Sequence, residues 1–188
     1  MIHEVLGFLK DQLNQYLRNR DSLQEDKVVF MNAERSETIS FPKNAITPLI
    51  INLEEENTLR PDNAYLQIRA DGTRVGVNPE IRLNLFVLFV CNFTAYEESL
   101  KYLSYVIKFF QSNKFFDHEG TPQLSENVDH LVVELMTMPF SNQNEIWNAL
   151  RTTYVPSALY KVKMIVFEDE ESRVLTSVGE SVIKTLLQ

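Results

Sequence analysis

One cysteine, five glycines, a minority of basic residues and no apolar run longer than Leu85 to Cys91 set the first limits on this 188-residue chain. A lone cysteine, Cys91, forms no internal disulfide, and nothing in cysteine usage points to an oxidising compartment. The glycines, at 7, 72, 76, 120 and 179, never come closer than the pair 72 and 76. No dinucleotide fingerprint, phosphate-cradling loop or nucleophile elbow can be drawn from such spacing. Lys and Arg total 18 against 26 Asp and Glu, a formal net charge of -8, so the basic footprint that releases counterions from nucleic acid or holds an anionic membrane is missing. The apolar runs are far short of the roughly 20 residues a bilayer requires. The opening Met1-Ile2-His3-Glu4-Val5-Leu6 has no basic n-region, which predicts no Sec-type export.

What the chain does have is a sizeable apolar content, 44% hydrophobic with twelve Phe, seven Tyr and one Trp. A chain of this length buries roughly 70% of its unfolded surface and needs no metal or disulfide to hold its core. Ile2, Val5, Leu6, Leu9, Leu13, Tyr16 and Leu17 recur at three- and four-residue steps, predicting an amphipathic helix over 2–18. Lys27 to Asn32 reads as a short strand, and Ile46 to Glu55 as a strand that begins after Pro48 and ends in the acidic run Glu54-Glu55-Glu56. Residues 57–78 read mostly as loop, with Asp71-Gly72 as a hairpin turn toward Thr73 to Val77. Ile81 to Phe93 is the strongest strand, apolar on both faces in its inner half like a strand covered by helices. Thr94 or Ala95 opens a helix to Ser112 with Tyr96, Leu100, Leu103, Ile107 and Phe110 as its apolar stripe. Residues 113–123 read as loop, and Val128 to Thr137 as a strand. Asn142 and Glu145 have capping-box spacing for a short helix bearing Ile146, Trp147 and Leu150. Leu159 to Phe167 is the last clear strand, with Tyr160, Val162 and Met164 on one face and Lys161 and Lys163 on the other. From Ser172 onward the spacing of Val174, Val178, Val182 and Leu186 favours a helix. The order predicts an α+β fold: a single mixed sheet of about four or more strands packed with helices, a domain over 1–168 and a tail over 169–188.

Candidate chemistry is sparse. Asp117-His118-Glu119 is the one loop triplet with metal-ligand residue types, yet adjacent loop residues rarely converge on one ion and no further ligand lies near in sequence. His130 sits mid-strand beside Asp129, and Cys91 sits in the most apolar strand without a local base. Glu54 to Glu56 has no second carboxylate fixed opposite it for acid–base work. The aromatics are more suggestive, because those left exposed serve as interface anchors. Phe109, Phe110, Phe115 and Phe116 cluster at one helix end, and Trp147, Tyr154 and Tyr160 near the last strand. From composition and spacing, the chain reads as a binding or assembly module rather than an enzyme, with no cofactor.

Several segments then resemble one family. They are the opening helix, ITPLIINLEEE, the strand and helix from Ile81 to Phe116, and the stretch from Val128 to Glu168. The most specific part is Trp147 to Tyr160, a Trp-bearing short helix leading through Tyr154-Val155-Pro156-Ser157. Together they resemble the N-terminal domain of the cap, or tail-terminator, proteins of phage-tail-like extracellular contractile injection systems, of the antifeeding prophage and Photorhabdus virulence cassette type. The resemblance implies a tail-terminator-like fold and a structural cap without catalytic, cofactor or metal residues. It implies a ring-forming homo-oligomer, a hexamer on the tail, that binds the inner tube and sheath proteins and ends their polymerisation. Neither nucleic acid nor membrane is an implied partner. Assembly would take place in the cytoplasm before the particle is released or anchored to the cell. Glu54, Glu55 and Glu56, or Lys161 and Lys163, are the interface candidates, read as charged edge strands that tune pairing. Two rivals stand beside this reading: a phage or prophage tail terminator, and a small enzyme whose site assembles only in three dimensions, with the 117–119 loop as its candidate.

Overall fold

The computed structural model describes residues 1–21, 25–31, 39–56, 66–68, 74–78, 81–166 and 169–174. They fall into two units, one of residues 1–57 and 81–167, the other of residues 58–80 and 168–188.

The first unit is an α+β sandwich built on a five-stranded sheet. Its strands are β1 (Ala45–Glu55), β4 (Ile81–Asn92), β7 (Ser157–Val166), β6 (Val128–Met136) and β5 (Phe115–Asp117), in that spatial order. Every neighbouring pair is antiparallel, so the sheet is not the mixed one expected. The only parallel element among the described residues is a bridge from Val28 to Ile46. That bridge is what the short strand expected at Lys27 to Asn32 amounts to: Val29 N–H donates to the Ile46 carbonyl at 2.9 Å and Ile46 N–H to the Lys27 carbonyl at 2.7 Å. The segment is held from behind by Asn14, which is buried in α1 (Ile2–Asp21). The Asn14 side-chain oxygen accepts from the Lys27 and Val28 N–H groups, and its amide donates to the Val28 carbonyl. Each such buried group left unpaired costs about 1–3 kcal/mol, so one polar side chain on an apolar helix face fixes how the chain enters the sheet.

Burial explains the two layers. On one face Leu85, Val87, Phe89 and Cys91 of β4 and Tyr160, Val162 and Met164 of β7 pack under α1 and α2 (Tyr96–Ser112). The rings interlock: Phe110 lies 4.8 Å from Tyr160 and 5.1 Å from Phe89, and Phe8 of α1 meets Phe116 edge-on at 5.3 Å. On the other face Leu88, Val90 and Leu159 pack with Phe41 and with Trp147 of α3 (Phe140–Ala149). Strand β4 is apolar on both sides because it has a helix layer on each, as its sequence predicted.

Four local expectations change. Pro48 lies inside β1 rather than before it, which is compatible with the strand's place at the sheet edge, where a missing N–H breaks no ladder. Alternation sets Ile50 toward the first core and Leu49 and Ile51 toward the second, and the register shift between Ile50 and Asn52 then pairs Asn52 with Phe86 on that same second face. In α2 the buried residues are Ser99, Tyr102, Val106, Phe109 and Phe110, so the true core stripe is rotated from the expected one and leaves Tyr96 and Leu100 exposed. Helix α3 starts at Phe140 after Pro139, without a side-chain cap, so Asn142 and Glu145 form no capping box. Residues 115–117, expected as loop, are the short strand β5.

In the second unit β2 (Leu66–Ile68), β3 (Arg74–Asn78) and β8 (Asp169–Val174) form an antiparallel sheet in the order β2-β3-β8. The hairpin read from residues 57–78 is present as β2 and β3. Its Asp71-Gly72 turn lies outside the described residues, as do residues 175–188 of the expected C-terminal helix, whose first residues instead belong to β8.

Candidate assembly surfaces

The second face of the main sheet is divided. Its upper half, Leu88, Val90 and Leu159, lies under α3, and its lower half is polar. The antiparallel register places Glu54, Asn84, Lys163 and Val132 in one row across β1, β4, β7 and β6, and Asn52, Phe86, Lys161 and Glu134 in the next. Neighbouring strands lie about 4.8 Å apart, so Glu54 and Lys163 stand roughly 10 Å from each other with Asn84 between them. Lys163 Nζ is 2.8 Å from a Glu134 carboxylate oxygen, with both side chains half exposed. Lys161 Nζ lies 5.8 Å from the Phe86 ring centroid. Asn52 donates to Glu54 at 3.0 Å, and Asn84 donates to Glu56 at 3.3 Å.

Glu54, Lys161 and Lys163 therefore share a face, which the Glu56 carboxylate reaches through Asn84, while Glu55 pairs with Leu83 on the other side of the sheet. The lysines are not on an edge strand as expected, because β7 is the central strand of five. Asn84, Phe86 and Glu134 complete the patch and were not singled out from the sequence. The period-two alternation of β4 and β6 places them on the lysine face once the pairing is known, but pairing partners are remote in sequence.

The 117–119 triplet is a turn. The Asp117 carboxylate accepts the Gly120 N–H at 2.8 Å, Thr121 donates to the Asp117 carbonyl, and a His118 ring nitrogen sits 2.8 Å from the Val128 carbonyl oxygen. His118 thus turns toward β6 while Asp117 closes its own loop, so the two do not aim at a common point. Among the described residues no three His, Cys, Asp or Glu side chains come together as a metal-ligand set. His130 pairs with Asp129 at 2.7 Å beside the Phe115 ring, and His3 is exposed on the first turn of α1. Cys91 is fully buried, and burial pushes its thiol up to about 12, far from a reactive thiolate.

Three of the exposed aromatics gather at one end of the sheet. The register brings Ala45, Asn92, Ser157 and Met136 to that end, and Tyr96, Phe140 and Tyr154 emerge beyond it, 67%, 90% and 58% exposed. Tyr154 leans on Trp147 at 5.5 Å, whereas Tyr160, expected beside them, lies on the opposite face of the sheet. The loops at this end are stapled by side chains: Asn92 donates to the Phe41 carbonyl at 2.9 Å, and Asn44 accepts both the N–H and the hydroxyl of Thr94. No described helix is long and apolar enough to cross a membrane.

The Pvc16 N-terminal domain family matches residues 4–178. The cryo-EM structure of the PVC sheath/tube terminator, from an extracellular contractile injection system in its extended state, matches with a TM-score of 0.62 and 13% identity, over 100% of this chain and 64% of that one. The tube-terminating cap of the anti-feeding prophage matches with a TM-score of 0.52 and 14% identity, over 96% of this chain and 59% of that one. This chain thus spans somewhat less than two thirds of the solved chains that it matches. No curated protein matches it significantly.

Proposed function

The chain belongs to the Pvc16 N-terminal domain family, and from that premise we propose that it is the structural cap of a contractile injection particle, ending the growth of tube and sheath rather than transforming a molecule. The observation that carries the proposal is a fold shared along the whole chain with a sheath/tube terminator. The surfaces suit the role. A growing polymer exposes backbone edges and apolar contacts at its end, and a terminator must match that surface without repeating it. A ring closed by head-to-tail contacts leaves no propagating edge, so the capping form is a ring-shaped homo-oligomer seated on tube and sheath. The acidic corner Glu54, Glu55 and Glu56 and the Lys161 and Lys163 face are its charged contact groups, with orientation and partner choice as their contribution. The particle is put together in the cytoplasm.

The test is deletion of the gene in a strain that makes such particles, followed by electron microscopy. Overlong, ragged or absent tails are expected, restored to uniform length by the full chain supplied in trans. Particles of normal, uniform length in the deletion strain would overturn the proposal.

A further inference from the structure

A groove of about 450 Å³ opens between the C-terminal half of α2 and the outer edge of β6, walled by Ile107, Phe110, Val133 and Leu135 with Tyr160 at its floor and Lys114 at its mouth. Four features set it apart from an ordinary surface dent. Leu135 is 54% exposed although it belongs to the helix-covered face, where its neighbours Leu131 and Val133 are fully buried. The edge beside it is unpaired: Val133 N–H is held by the Lys114 carbonyl at 2.8 Å, but β5 spans only the region opposite His130 to Val132, and no described strand continues past it. By the alternation of an antiparallel strand, Leu135 turns its N–H and C=O to the same outer side as Val133.

The third feature is Tyr160. Its side chain is 2% exposed, yet its hydroxyl meets no hydrogen-bond partner among the described residues and is not sealed in, because it reaches the groove. Burial pushes the phenol up to about 12, so the group keeps its proton and stays a donor. Open to the groove, the hydroxyl has water as its acceptor, and a bound carbonyl would take that water's place. The fourth is charge. Lys114 is exposed and has no carboxylate within ion-pair distance among the described residues, in a chain whose net charge is -8.

We propose that this groove receives an extended segment of the polymer subunit that the cap terminates, adding a strand to β6 beside Leu135, placing an apolar side chain against Ile107 and Phe110, offering a carbonyl to the Tyr160 hydroxyl and an acidic residue to Lys114. This rests on the capping role and names the surface that performs it. Strand addition supplies main-chain hydrogen bonds for affinity, while the pocket and the lysine select the sequence. A rigid groove of this kind also orders little on binding, because its walls belong to a helix and a strand of the core.

The test is co-sedimentation of the full chain with polymerised tube and with polymerised sheath from the same particle, each alone, together with amide hydrogen exchange of the bound cap. Leu135→Asp and Lys114→Glu are expected to weaken binding about tenfold or more, and Tyr160→Phe several-fold with its near-UV spectrum unchanged. The Leu135 amide is expected to exchange more slowly in the complex. Phe140→Asp, at the far aromatic end, serves as the comparison and is expected to leave Leu135 protection intact in whatever complex forms. Wild-type cap that sediments with polymer while all three groove variants do so equally, or without Leu135 protection, overturns this inference and leaves the capping role standing. Wild-type cap that sediments with neither polymer overturns both.

Discussion

At the last turn of α1, Lys101 Nζ lies 2.8 Å from one Asp21 oxygen and the Tyr105 hydroxyl 3.1 Å from the other. These bonds, the lysine's first, hold the Asp21 carboxyl below its ordinary range, and Asp21 in turn raises Lys101. A carboxyl depressed in the folded state contributes stability that is complete above its unfolded pKa and lost as pH falls through its folded one. The raised lysine contributes below its unfolded pKa and loses that as pH rises through its folded one. The pair therefore ties α1 to α2 across the neutral range. Lys101 is half exposed, so the pair is worth about 0–1 kcal/mol. Asp21→Asn is expected to flatten the stability profile measured by urea unfolding from about pH 6 to pH 3, relative to wild type. Parallel profiles for the two proteins would show that the bond does not carry this limb. The same junction holds Arg20 over the Tyr105 ring at 5.0 Å, so charge and aromatic surface work together where the helices meet.

At the scale of the element, one side chain is the main anchor of α3, with Ile146 packed beside it. Trp147 is its one buried residue, set between Phe41 at 6.1 Å and Tyr154 at 5.5 Å and packed with Leu88, Val90 and Leu159. The helix has no side-chain cap to hold it otherwise. Trp147→Ala is expected to cost about 3–5 kcal/mol in chemical unfolding and to free α3 from the sheet, since a large aromatic removed from a core leaves a cavity that the rigid strands below fill poorly. A loss under about 1 kcal/mol would mean that other contacts hold the helix. Helix α2 illustrates what periodicity resolves and what it does not. The expected stripe of Tyr96, Leu100, Leu103, Ile107 and Phe110 and the observed one of Ser99, Tyr102, Val106, Phe109 and Phe110 are both regular at helical spacing. A helix with apolar residues around much of its circumference has no single face legible in sequence. The sheet chose the face, and the residues left over, Ile107 among them, line the groove.

For the whole molecule, the polar half of the second face distinguishes two lysines that sequence treats alike. Lys163 is committed to Glu134, while the Lys161 ammonium group lies over the Phe86 ring with no carboxylate in ion-pair reach among the described residues. Lys161→Glu is expected to weaken binding of the cap to its polymer without changing its unfolding midpoint, whereas Lys163→Glu sets two carboxylates against each other and is expected to lower stability slightly, by about 0.5 kcal/mol. Co-sedimentation and thermal unfolding of both variants check this. Equal binding by Lys161→Glu and wild type would remove that face from the interface. The loss, where it occurs, should fade as salt is raised, because exposed charges are screened within about 10 Å at moderate ionic strength.

Sequence by itself determined the α+β class, the two long helices, the central strand β4 apolar on both faces and the alternation of β7, because each is a local pattern whose period reports the element that repeats it. The family resemblance was carried by contiguous stretches of the same kind. Only the tertiary structure decided the rest. Pairing set Glu54, Asn84 and Lys163 in one row, made β7 the centre rather than an edge, and ended β5 short of Leu135. Tyr160 reads as one more core aromatic along the strand, and only its neighbours from α2 and β6 make it part of a groove lining. Periodicity is a property of one segment, whereas register, edges and grooves are properties of separate segments brought together by the fold, and no single stretch encodes them.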